Sequence, residues 1–112
     1  MEKKIDKAEL FLKDTLSEAE AAKDFGLIIA ACNELGGLYR VLSRYDEGMP
    51  LYEKALESLR RIGAVDSENY ATTLINYATI LSMSGRHEEV LDKYKEVVRI
   101  LMRQCFSAGS FR

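Results

Sequence analysis

Apolar residues recur at steps of three and four along nearly the whole chain, and no stretch alternates apolar and polar residues long enough to make a strand. Ile5, Ala8, Leu12, Leu16, Ala19 and Ala22 predict a first helix over about 2–23. Asp24-Phe25-Gly26 reads as the break after it. A second helix is predicted over about 27–43, through Ile28, Cys32, Leu35, Tyr39 and Leu42. A third covers about 46–62 with Tyr52, Ala55, Leu59 and Ile62 inward; Pro50 falls within or just past its first turn, where little backbone bonding is lost. Gly63 stops it, and Asp66 or Ser67 caps a fourth helix over about 68–83. Ser84-Gly85 turns the chain into a fifth, about 87–105, and the poor helix formers of 106–112 should fray. Apart from 63–67 the connections are short, so successive helices run antiparallel in an up-down array.

The array repeats itself. Leu35-Gly36, Tyr39, Ser43 and Tyr52 return as Tyr77-Ala78, Leu81, Gly85 and Tyr94, each after the same 42 residues. A fixed period of this size marks a solenoid, in which a helical pair buries its apolar face only by stacking on a neighbour. The expected fold is all-α: an antiparallel helical-hairpin solenoid of about five helices.

These residues resemble the tetratricopeptide repeat. Its large residue, Leu-Gly, aromatic, small residue, aromatic and Ala are matched by Cys32, Leu35, Gly36, Tyr39, Gly48, Tyr52 and Ala55, then by Leu74, Tyr77, Ala78, Leu81, Val90, Tyr94 and Val97. Small residues let helix backbones approach, and large ones fill the gaps beside them. The 42-residue spacing and the run Tyr70-Ala-Thr-Thr-Leu-Ile-Asn-Tyr-Ala78 are similar to the longer repeats of kinesin light chains. The resemblance implies a right-handed superhelix in one domain over 1–112. It divides into a half repeat (1–24), two repeats (27–63 and 67–105) and the tail. Val90 and Val97 stand where small residues are usual, so the last helix should lie slightly further off.

Composition narrows the function. Hydrophobic content of 47% and charged content of 30% are those of a globular protein, and 112 residues suffice for one modest core. A net charge of −2 argues against a dedicated nucleic-acid binder. The longest apolar run, Leu27–Cys32, is far short of a membrane span, and no signal peptide is visible. Cys32 and Cys105 lie far apart, without metal-ligand spacing, and read as reduced thiols of a cytoplasmic protein. His87 is the one histidine, so no two-His metal site is possible; its place after the turn suggests packing there. Asp24-Phe25-Gly26 copies a kinase tripeptide without the rest of a kinase, and no phosphate loop or nucleophile elbow occurs. Neither catalysis nor a cofactor is expected.

The resemblance also implies a concave groove lined by the first helix of each pair. Carried over position by position, its candidate peptide-binding residues are Asn33, Gly37, Arg40, Thr72, Asn76 and Thr79, with Ala30, Val41, Ile75, Ser82 and Met83 around them. In peptide-binding relatives an Asn at the place of Asn76 bonds the ligand main chain, since an amide donates and accepts together. Arg40 is suited to a carboxylate, although Asn33 stands where carboxylate-clamping relatives carry Lys, which argues against a terminal-carboxylate ligand. Lys95, Arg99 and Arg103 form a basic row that reads as a solvated outer face.

The last helix has two apolar seams. Val90, Tyr94, Val97 and Leu101 are expected to face the fourth helix, which leaves Leu91, Val98, Met102 and Cys105 for another partner, with a homodimer as the first expectation. The first helix, bearing Lys4, Lys7, Lys13, Asp14, Glu18 and Lys23, looks capped by charge. The chain therefore reads as a protein-interaction module holding a peptide or partner helix. The alternatives are a regulatory peptide sensor of the bacterial repeat type and a structural repeat without an evolved ligand.

Overall fold

Local hydrogen-bond chemistry sets the helix ends. The computed structural model describes residues 2–107, which form α1 (Glu2–Ala22), α2 (Phe25–Val41), α3 (Tyr45–Arg61), α4 (Glu68–Met83) and α5 (His87–Ser107). After each of the first four the chain passes through one residue in the left-handed region: Lys23 (φ 54°), Ser43 (60°), Gly63 (74°) and Gly85 (86°). The next amide then reaches back to the helix. Asp24 N donates to Ala19 O at 2.9 Å, Arg44 N to Tyr39 O at 2.8 Å, Ala64 N to Leu59 O at 2.9 Å and Arg86 N to Leu81 O at 2.9 Å. Such closures satisfy carbonyls that a helix end would otherwise leave bare. At the starts, the Asp24 carboxylate accepts from Leu27 N and the Ser67 hydroxyl from Tyr70 N, both at 3.1 Å.

The pattern-based ends shift in two places. Asp24 caps α2, so the break falls on Lys23 and Gly26 is already helical. At the other end α5 continues to Ser107, so Phe106 and Ser107 are helical rather than frayed; 108–112 lie outside the described residues. Pro50 lies in the second turn of α3, which forgoes one intrahelical bond.

Residues 42 apart repeat each other in detail. Arg44 Nε donates to Glu47 Oε2 at 2.6 Å after the first hairpin turn, and Arg86 Nε to Glu89 Oε2 at 2.5 Å after the second. The main core joins Ile29, Tyr52, Leu59, Leu74, Ile80 and Leu81 with Val97 and Ile100 of α5; a second cluster fixes Leu16 and Ala19 of α1 against Ile28, Cys32 and Ala55. Gly48 marks the closest approach. A Cβ there would stand 2.6 Å from Ile80 Cδ1 and 3.3 Å from the Gly36 carbonyl.

Two expectations about the end helices fail. Toward α4, α5 turns Val90, Val97 and Ile100, not Tyr94 and Leu101, which are 43% and 45% exposed. It is held in that rotation by the Lys93 ammonium, 5.6 Å over the Tyr77 ring, and by Arg103 and Gln104 on Asp66. Nor is α1 fully charged on its outside, because Leu10 and Phe11 are both exposed.

Candidate binding groove

Asn33 is the centre of the groove's geometry. Its Nδ2 donates to Ile29 O at 3.1 Å and to Thr73 Oγ1 at 3.2 Å, tying α2 to α4. Thr73 is fully buried and donates in turn to Asn69 O at 2.9 Å. Both hydrogens of the amide are thus committed and its orientation is fixed. Its Oδ1 is buried and has no hydrogen-bond partner among the described residues.

Two further buried polar atoms share that condition, Arg40 Nε and the Tyr52 hydroxyl. All three residues line one groove of about 540 Å³ between α1 and α2, with Asn76 of α4 on its other side. Ala8 and Leu12 of α1 supply apolar wall. Tyr52 reaches the groove from α3, its ring wholly buried and its hydroxyl at the level of Gly37, where a Cβ would stand 3.9 Å away. Burial pushes this hydroxyl above the ordinary tyrosine value; the Arg40 guanidinium opposes the rise, first by a hydrogen-bonding approach whose geometry falls short of a formed bond and then by its charge. It stays protonated at neutral pH and can donate. Asn76 is half-buried and makes no side-chain hydrogen bond among the described residues.

The structure brings four of the six expected residues together: Asn33, Gly37, Arg40 and Asn76. Thr72 and Thr79 are not part of this lining. They lie one turn before and one turn after Asn76; Thr72 is exposed, and Thr79 donates its hydroxyl to Ile75 O at 2.8 Å. Tyr52 and Glu34 were missed. The signal for Tyr52 was its chemistry, because a buried tyrosine still carries a polar tip that wants a partner. Pattern reading saw only the ring.

A second concavity of about 580 Å³ lies between the end of α1, the start of α2 and the side of α3 from Pro50 to Arg61. Several of its polar groups are paired with one another. Lys54 bonds Glu20 at 2.8 Å, and the Arg61 guanidinium sits 5.8 Å over the Phe25 ring. Among the described residues, none of its lining carries a buried polar atom without a partner, whereas three residues of the α2–α4 groove do.

Other candidate chemistry is sparse. No group of three or more His, Cys, Asp or Glu among the described residues is placed to hold a metal. Burial pushes the Cys32 thiol up to about 11, which leaves it inert. His87 is exposed, not packed into the turn as its position suggested. None of the five helices is long and apolar enough to cross a membrane. On α5, Leu91, Val98, Met102 and Cys105 all face solvent.

A family model described as tetratricopeptide repeat matches residues 27–103, more than half of the chain. No curated protein and no solved structure gives a match. With two helical hairpins repeating every 42 residues and small residues at the close approaches, the chain belongs to the tetratricopeptide repeat family.

Proposed function

We propose that this chain is a non-catalytic interaction module that holds a peptide segment of a partner protein in the groove between α1, α2 and α4. The family generally mediates protein–protein contacts. One observation carries the finer reading: three buried polar atoms without partners, Asn33 Oδ1, Arg40 Nε and the Tyr52 hydroxyl, converge on one groove. Leaving such an atom unpaired costs about 1–3 kcal/mol each, a cost that a ligand recovers by supplying the missing partners.

A peptide main chain is chemically suited to all of them. Its N–H groups can donate to Asn33 Oδ1, and its carbonyls can accept from Arg40 and Tyr52. Asn76 can serve either group. The apolar wall of Ala8 and Leu12 suits an aliphatic side chain between them. Glu34, also at the groove, disfavours a terminal carboxylate.

The test uses a peptide selected on the chain from a random library displayed on phage. In calorimetry, Asn76→Ala should weaken its binding by about 1–3 kcal/mol. Arg40→Ala should weaken it less, unless the peptide is acidic. Equal affinity of the native chain and the Asn76→Ala/Arg40→Ala double variant would move the site off this surface.

A further inference from the structure

Gly36, Gly37 and Gly48 stand in the interiors of α2 and α3, yet packing requires only two of them. A Cβ at Gly36 would come within 2.9 Å of the Tyr52 ring, and one at Gly48 within 2.6 Å of Ile80 Cδ1. At Gly37, beyond the backbone of its own turns, a Cβ would meet only the Tyr52 hydroxyl, at an ordinary 3.9 Å. The backbone there does not enter the left-handed region either. Alanine would fit the free chain, and a helix interior favours alanine over glycine. Nor does the repeat demand a glycine at this place, because 42 residues on it is held by Thr79. The free fold has no use for Gly37.

The groove does. Asn33, Gly37 and Arg40 follow one another at steps of four and three on one face of α2, and all three line it. A methyl at position 37 would stand beside the Tyr52 hydroxyl, the partnerless tip of a wholly buried side chain. The Arg40 guanidinium approaches the same hydroxyl without forming a bond, and its Nε–H is unpartnered too. Two donors thus converge next to helix backbone that carries no side chain. Glycine in such a place lets another backbone come close. A carbonyl oxygen has two lone pairs and can accept from both donors. A carboxylate would instead meet Glu34, which lines the same groove and opposes a second negative charge.

We propose that Gly37 is a specificity-determining residue of the groove. It lets the bound segment lie against α2 and seat one main-chain carbonyl on the Tyr52 hydroxyl and Arg40 Nε. This rests on the groove reading above and deepens it, because it names main chain rather than an acidic side chain as what is recognised at this point.

The phage-selected peptide is the probe. Gly37→Ala should raise the melting temperature of the free chain by about 3–6 °C. In calorimetry it should weaken peptide binding by about tenfold or more. Tyr52→Phe should weaken binding as well, and the Gly37→Ala/Tyr52→Phe chain should bind no worse than Gly37→Ala alone, because both changes remove one seat. The native affinity should vary little between about 0.05 and 0.5 M salt, since a carbonyl is uncharged. Native-like binding by Gly37→Ala, alongside a loss for Asn76→Ala, would overturn this inference and leave the groove reading standing. If neither substitution changes the affinity, the groove reading falls and the seat with it. Losses that simply add in the double variant would overturn the shared seat. An affinity that falls about tenfold or more over that salt range would overturn the carbonyl and give the seat to a carboxylate.

Discussion

Gly36 on α2 lies against the ring of Tyr52 on α3 so closely that a Cβ would stand 2.9 Å from Cζ and 3.1 Å from Cε1. The ring cannot retreat, because Tyr52 is wholly buried and packs on Tyr77 with ring centroids 6.4 Å apart. Gly36→Ala should therefore destabilise the fold by about 1–2 kcal/mol, since overpacking outweighs the gain in helix propensity. Urea denaturation measures it. Combining it with Tyr52→Leu should be markedly non-additive, because the two residues share one contact.

Tyr52→Phe separates stability from function. It keeps the ring and deletes a buried hydroxyl that has no partner. The folded chain should be unchanged or more stable by about 1 kcal/mol, yet bind its groove peptide more weakly. Denaturation and calorimetry on one preparation check both halves.

The hairpin turns give a paired prediction. Ser43 and Gly85 occupy equivalent places with φ of 60° and 86°. Ser43→Gly should stabilise by about 0.5–1 kcal/mol, and Gly85→Ala should destabilise by about 1 kcal/mol, because a Cβ is strained there. Thermal melts of the two variants should move in opposite directions.

Acid should loosen the contact between α1 and the first hairpin. The Tyr39 hydroxyl donates to Glu9 Oε2 at 2.5 Å, and Arg44 and Lys13 pair with the same carboxylate. Led by the Tyr39 bond, these partners hold the Glu9 carboxyl at about 2. The unfolded chain binds that proton at an ordinary carboxylate value of about 4.3. The folded value is depressed, so the stabilisation is present above about pH 5 and is lost as pH falls toward 2. Glu9→Gln should lower the melting temperature at neutral pH and flatten its fall in acid.

The 42-residue offset made the fold legible, because it reports side chains that meet their own repeat. It misled where burial depends on the next helix in the stack. Tyr52 and Tyr94 are equivalent in sequence, yet one is wholly buried and the other 43% exposed, since α4 covers α3 and no described helix covers the outer face of α5. The groove was half legible. The places of Asn33, Arg40 and Asn76 come from helix register, but the orphaned state of Asn33 Oδ1 depends on Thr73 taking the Nδ2 donor, a contact across 40 residues. Tyr52 joined the site through its polar tip, which an apolar pattern does not register.

The central claim, that the groove between α1, α2 and α4 holds peptide, is tested most directly by amide chemical-shift mapping of the isotope-labelled chain during titration with a phage-selected peptide. The largest shifts should fall on Asn33, Gly37, Arg40 and Asn76, the side-chain amides of Asn33 and Asn76 included. Shifts confined to the outer face of α5, or to the concavity of Phe25 and Arg61, would contradict the account.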